Sequence, residues 1–200
     1  MEFEFDKSEI KLNKIISPID EFVIDFLDIL NGLEIKHVFI SGYVVLLFGR
    51  QRITEDVDMF LEDLDESKLK VLYETLLQKN YWMINAGSFD SAKKLYEEGI
   101  AWRAAKKDTI SPNMEIKRPK NSLDFISLNN PAKVILNNKH KINISPLELQ
   151  IPYKLHLGSR KDIEDARYLY DLFKDKIDEK LMKSFAKELK VASKMVELVH

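Results

Sequence analysis

"SGYVVLLFGRQRITEDVDMFLE", residues 41–62, is the stretch on which the rest of the chain turns. It opens on two small residues, Ser41 and Gly42, which suit a tight turn. A short apolar run follows, compatible with a helix, and ends at Gly49, where a glycine can close it. Beyond it, Val57, Met59 and Leu61 alternate with Asp56, Asp58 and Phe60, the period of a strand with one buried face. Carboxylates at i and i+2 on a strand project from the same face, roughly 6.5–7 Å apart at the backbone. They repel each other, yet their oxygens can converge on a divalent cation. Mg²⁺ suits such a site, because it takes hard oxygen ligands, keeps waters and shares substrate phosphates; Mn²⁺ is the alternative. Two ordinary surface charges on a half-exposed strand would show the same pattern, and at this point both explanations stand.

Asp124 offers a third carboxylate. It lies between Leu123 and Phe125 in a run, residues 122–127, that alternates like a strand and is a poor place for an unpaired charge. Three acids on two adjacent strands would form a two-metal phosphoryl-transfer centre.

Outward from this stretch, the chain has strong helix signals at both ends. Ser17, Pro18 and Asp20 make a cap, a first-turn proline and a capping-box acid, followed by Phe22, Phe26, Ile29 and Leu30 on one face and a stop at Asn31 and Gly32. Ser145, Pro146 and Glu148 repeat the signature and open a helical last third. Its stripes are Ile163, Ala166, Leu169, Tyr170 and Phe173, then Leu181, Phe185, Leu189 and Ala192. Strands are expected at residues 37–41 and 57–61, with shorter ones at 81–84, 113–117 and 122–127; a helix is expected over 67–79, and residues 89–111 carry no clear pattern. The order predicts an α/β or α+β domain over residues 1–145 with a C-terminal helical region, 146–200, packed on it.

The 200 residues, 45% hydrophobic and 32% charged, are enough to bury a core. The absence of cysteine excludes disulfides and thiolate chemistry, and a net charge of −2 argues against a globally basic nucleic-acid binder. No apolar run reaches the length of a membrane span, and the first residues do not read as a secretory leader, so a cytoplasmic protein is expected. Arg103, Lys106, Lys107, Lys117, Arg118 and Lys120 read as a solvated basic loop, with RNA or a nucleotide tail as the functional alternative. Trp82 and Trp102 read as packing residues, and His37, His140, His156 and His200 lack metal-ligand spacing.

Ile40, Ser41 and Gly42, then the Asp56–Asp58 pair and the later Asp124, resemble the pattern of the nucleotidyltransferase superfamily of DNA polymerase beta. "GRQRITEDVDMF" is similar to its small R-x-T-x-D-x-D members, which include lincosamide nucleotidyltransferases and AbiEii-like toxin proteins. "PLELQIPYKLHLGSRKDIEDARYLYDLF", residues 146–173, is similar to the C-terminal helical motif of the AbiEii-like proteins. Ser41 stands where that pattern has its first glycine, and Pro152 falls inside the expected lysine-bearing helix, where it should kink or delay it.

The resemblance implies a mixed sheet flanked by helices and a Mg²⁺-dependent transfer of a nucleoside monophosphate from an NTP. The acceptor could be a small molecule, RNA or protein, and a partner of the toxin–antitoxin type is possible. It implies that Asp56, Asp58 and Asp124 bind metal and catalyse. It also implies that Ser41 and Gly42 shape a phosphate turn, that Arg52 and Lys154 meet the nucleotide, and that Asp165, preceded by Asp162, is a distal functional acid. The alternatives are a non-catalytic module on the same fold, or another metal-dependent phosphoryl enzyme such as a phosphatase or nuclease.

Overall fold

The computed structural model describes residues 2–6, 9–52 and 54–199. In chain order the elements are β1 (Glu2–Asp6), β2 (Glu9–Asn13), α1 (Pro18–Gly32), β3 (His37–Ile40), α2 (Gly42–Leu47), β4 (Asp56–Leu61), α3 (Glu66–Gln78) and β5 (Tyr81–Met83). They continue with α4 (Phe89–Glu97), β6 (Trp102–Lys106), β7 (Asn113–Lys117), α5 (Ser122–Asn129), β8 (Ala132–Leu136) and β9 (His140–Ile144). Four helices complete the chain: α6 (Leu147–Leu157), α7 (Arg160–Phe173), α8 (Glu179–Glu188) and α9 (Ala192–Val199).

The strands form one mixed sheet in the order β1-β2-β8-β9-β3-β4-β7-β6-β5. The antiparallel pair β3–β4 occupies its middle, and β7 runs parallel to β4. Helices flank the sheet, as expected for an α/β chain. None of the described helices is long and apolar enough to cross a membrane. Buried apolar residues from Ile10 to Leu198 belong to a single core, so residues 146–199 pack into the same interior as the sheet. Phe173 of α7 shows how: its ring lies 4.7 Å from Phe48 at the end of α2 and 5.5 Å from both Phe3 and Phe5 of β1.

The cap expected at Ser17 forms. The Ser17 hydroxyl accepts the Asp20 N–H at 3.3 Å, and the Asp20 carboxylate accepts the Ser17 N–H at 2.9 Å. Asp20 is fully buried and also receives Lys14 Nζ at 3.0 Å and the Tyr43 hydroxyl at 3.1 Å. One capping acid therefore ties the start of α1 to α2, and burial together with the Asp20 charge raises the Tyr43 phenol well above its ordinary range.

Four expectations need correction. Residues 122–127 are not a strand: Asn121 caps helix α5, accepting the N–H groups of Leu123 (2.9 Å) and Asp124 (3.1 Å). The N-x-x-D capping pattern outweighs an alternation only a few residues long. Ser145 does not cap α6; its hydroxyl bonds that of Ser127 at 3.0 Å, and the helix begins after Pro146. Pro152 lies inside α6 and neither delays nor ends it. Of the basic residues expected in a loop, Arg103 and Lys106 are on β6 and Lys117 closes β7, whereas Lys107, Arg118 and Lys120 do lie outside the strands. The structure also adds the antiparallel pairs β1–β2 and β8–β9. Asn137 and Asn138 both take positive φ at the β8–β9 turn, a backbone that asparagine tolerates.

Candidate active site

Strand β4 carries the two central acids as its alternation required. Val57, Met59 and Leu61 are buried, while Asp56, Asp58 and Phe60 are partly exposed on the opposite face. The register with β7 sets Asp56 beside Asn113, Asp58 beside Glu115 and Phe60 beside Lys117. On the next strand, Arg103 lies beside Glu115. Partners on neighbouring strands share a face, so this face holds an alternating network of charge. Asn113 Nδ2 donates to Asp56 Oδ1, and Arg103 Nη2 reaches the same oxygen at 3.1 Å. Lys117 Nζ donates to Asp58 Oδ1 and lies 3.1 Å from Glu115 Oε2, while Arg103 Nε lies 3.5 Å from Glu115 Oε1. Burial lowers the Lys117 ammonium pKa, but the Asp58 and Glu115 charges outweigh it and leave it raised, so Lys117 is a firm cation.

Ser41 and Gly42 join β3 to α2, directly beside these acids. Ser41 has φ 59° and ψ −123°, a backbone conformation that favours glycine, so the turn keeps the shape a glycine would give it while bearing a side chain. Gln150 of α6 clamps it from the other side. Its Oε1 accepts the Ser41 N–H at 3.4 Å and its Nε2 donates to the Ser41 carbonyl at 3.1 Å. Gly42 is a glycine for a different reason: a Cβ there would stand 2.6 Å from Arg52 Nη2 and 3.3 Å from Thr54 Oγ1. The turn thus rests on the guanidinium of the R-x-T segment.

The turn and Asp58 open into one cleft of about 460 Å³, bounded by Phe60, Tyr153 and Leu157 and lined by Lys117, Arg118 and Lys120. Asp124 lines the same cleft from α5. It is 8% exposed, and its Oδ2 accepts the N–H groups of Lys120 (2.8 Å) and Asn121 (3.3 Å) as the capping-box acid of that helix. Burial, then the charges of Asp124 and Asp58, push the Tyr153 phenol up against the opposing pull of Lys117, so the hydroxyl stays neutral between the two acids.

Arg52, Lys154 and Asp165 are brought together, but not in that cleft. Asp165 is fully buried and accepts from Arg50 Nη1 and Arg52 Nη1, with Lys154 Nζ at 3.0 Å. Lys154, 1% exposed, also donates to Asp162 at 2.8 Å. Burial raises the Asp162 carboxyl pKa, and hydrogen bonds from Lys154 and Ser159 more than offset this, leaving it below its ordinary value. These residues anchor α7 beneath the Arg52 guanidinium and so support the turn from behind.

The remaining candidates are structural. Trp102 is buried and its Nε1 donates to the Ala92 carbonyl at 2.6 Å, while Trp82 donates to the Thr109 carbonyl at 2.7 Å. His37 is buried with Nδ1 2.9 Å from the Ile35 carbonyl, and His156 Nδ1 lies 3.1 Å from the Leu189 carbonyl; His200 lies outside the described residues. Among the described residues, no three His, Cys, Asp or Glu side chains are grouped as metal ligands. Asp56, Asp58 and Asp124 therefore do not form the three-acid cluster expected of them. The Asp56 and Asp58 carboxylates, on one face of β4, are oxygen donors of the kind a hard cation takes. Glu115 is an acid that no motif in the sequence marks. It is the single carboxylate on the strand expected at 113–117, and only the β4–β7 register shows that it stands beside Asp58.

No protein-family model matches this sequence, and no curated protein does. Among solved structures the chain is similar to an antigenic nucleotidyltransferase-like protein from Paracoccidioides brasiliensis. The TM-score is 0.53 and the identity 18%, over 89% of this chain and 90% of that one. The fold is nucleotidyltransferase-like.

Proposed function

We propose that the cleft beside β4 binds a nucleoside triphosphate and transfers its nucleoside monophosphate to an acceptor, releasing pyrophosphate. The observation that carries this is the placing of the Ser41 turn and Asp58 in one cleft whose rim bears Lys117, Arg118 and Lys120. A glycine-like turn lets phosphate oxygens approach the backbone, and the rim carries three cations, of which Lys117 pairs with Asp58 and Arg118 with Asp63. Asp56 and Asp58 would hold Mg²⁺ or Mn²⁺, whose chemistry there is to offset the charge of the triphosphate and of the departing pyrophosphate.

The acceptor hydroxyl oxygen forms the new bond to the α-phosphorus, and the α–β bridging oxygen leaves with pyrophosphate. The hydroxyl proton passes to Asp124, which lines the cleft together with Asp58. Phe60, Tyr153 and Leu157 supply an apolar wall that positions the substrate's non-phosphate portion. Catalysis rests on orientation and on charge placed in advance. Arg52, Lys154 and Asp165 act through the turn, holding its underside.

One observation favours a second reading, nucleotide or partner binding without turnover: Asp56 and Asp58 are both paired with cationic side chains. Incubation with α-labelled NTPs, Mg²⁺ and a pool of RNA, proteins and small molecules separates the two. The transfer reading expects a labelled acceptor that Asp58→Ala abolishes and whose class identifies the substrate. ATP and Mg²⁺ binding by calorimetry, with no labelled product, would establish the second reading instead.

A further inference from the structure

The carboxylates that would hold a cation already face two side chains that are cations. The two contacts differ in place. Arg103 bridges Asp56 at 3.1 Å and Glu115 at 3.5 Å from the neighbouring strand and does not line the cleft. Lys117 closes β7, bridges Asp58 and, at 3.1 Å, Glu115, and lines the cleft beside Arg118 and Lys120. Its ammonium sits on Asp58 Oδ1, and a divalent cation on the same carboxylate would stand close enough for the two positive charges to repel each other. Its flexible four-carbon stem allows the charge to move along the cleft without moving the strand.

We propose that Lys117 is a placeholder for the divalent cation. It neutralises Asp58 while the site holds no substrate and transfers its ammonium to the triphosphate when nucleotide and cation enter together. The proposal rests on the nucleotidyl-transfer reading and names a positioning residue within it. Two consequences follow from the geometry. The protein alone takes up divalent cation weakly, since the cation must displace a paired lysine from a site with two carboxylates. Nucleotide and cation bind cooperatively, since the triphosphate supplies the anion that Lys117 gives up at Asp58. Asp58 is thereby kept from repelling Asp56 and Glu115 in the empty cleft.

The test is Mn²⁺ binding followed by electron paramagnetic resonance, which reads free Mn²⁺ and needs no turnover. Lys117→Met is expected to bind Mn²⁺ alone about tenfold or more tightly than wild type, the smallest effect that a nearby opposite charge commonly has on a carboxylate's proton affinity. Adding Asp58→Asn to Lys117→Met should remove the gain. With a non-hydrolysable ATP analogue present, wild type should tighten on Mn²⁺ more than Lys117→Met does. Lys117→Gln repeats the comparison if the methionine variant fails to fold, and a thermal melt checks each protein.

Equal or weaker Mn²⁺ binding by a folded Lys117 variant overturns the placeholder. If wild type still labels an acceptor through Asp58 in that case, the nucleotidyl-transfer reading stands without it. If the Mn²⁺ gain appears and no acceptor is labelled, the placeholder stands and the transfer reading is the one lost.

Discussion

Asp165→Ala removes the carboxylate on which Arg50, Arg52 and Lys154 converge. Asp165 is fully buried, and the Arg52 and Lys154 side chains are 9% and 1% exposed, so water cannot readily replace it. The three cations lose unequal amounts. Arg50 keeps Glu164 at 2.9 Å and Lys154 keeps Asp162 at 2.8 Å, whereas Arg52 retains Thr54 Oγ1 at 3.4 Å, a marginal hydrogen bond. Removing one partner of a buried ion pair costs about 3–5 kcal/mol, chiefly because a charge is left uncompensated. The contacts kept by Arg50 and Lys154 set the expected loss at the lower end, about 3 kcal/mol. At about 2–4 °C per kcal/mol for a chain of this size, Tm falls by roughly 6–12 °C. Urea unfolding should show an earlier midpoint with an unchanged slope. Combining Asp165→Ala with Arg52→Met should recover part of the loss, because the worst-stranded cation is then gone. A loss under about 1 kcal/mol, or strict additivity of the two substitutions, would refute the claim that this cluster anchors α7 beneath the turn.

Three further outcomes are expected. Gly42→Ala places a Cβ 2.6 Å from an Arg52 guanidinium that Asp165 holds in place, so it should destabilise by about 1–3 kcal/mol in urea unfolding; a neutral result would mean Arg52 yields freely. Ser41→Gly relieves a positive φ and should stabilise by about 1 kcal/mol, after the extra entropy of an unfolded glycine is set against the strain; a lower Tm would show the turn is unstrained. Burial lowers the His37 imidazole pKa below its ordinary 6.5 against an opposing bond to the Ile35 carbonyl. The unfolded chain therefore takes up that proton first as pH falls. This contribution is full above about pH 6.5 and is lost below it, so wild type should lose more stability than His37→Phe between pH 7.5 and 5.5. Equal losses in the two proteins would exclude His37 as a source of acid sensitivity.

What could be read from the sequence was local. The Ser17–Asp20 cap, the strand bearing Asp56 and Asp58 and the Gly49 stop each declare themselves within a few residues, because capping and strand alternation are short-range. Asp124 stands out as a charge in an apolar run, but that run is a helix and not the strand its alternation suggests. Leu123 and Phe125 imitate strand alternation over too few residues to compete with the cap at Asn121. The stretches "EFEFD" and "EIKLN" alternate plainly, yet the neighbour that joins them to the sheet, β8, pairs with β2 from far along the chain, Ile10 beside Val134. The pairings that make the site were illegible for a stronger reason. Arg50 and Arg52 meet Asp165 across 115 and 113 positions, and Lys117 meets Asp58 across 59. Residue type says that each is a charge; only the fold says which opposite charge it faces. The Arg52 assignment illustrates this: its place in the motif pointed to phosphate, whereas its nearest anion is Asp165.

The central claim is transfer of the α-phosphoryl group with its nucleoside, and the position of the label decides it. Parallel incubations use one ATP labelled at the α-phosphate and another at the γ-phosphate, each with Mg²⁺ and the same acceptor pool. The account predicts labelled acceptor from the α-label alone, pyrophosphate as the other product, and loss of both in Asp58→Ala. Acceptor labelled from the γ-phosphate, or inorganic phosphate released as the primary product, would contradict it.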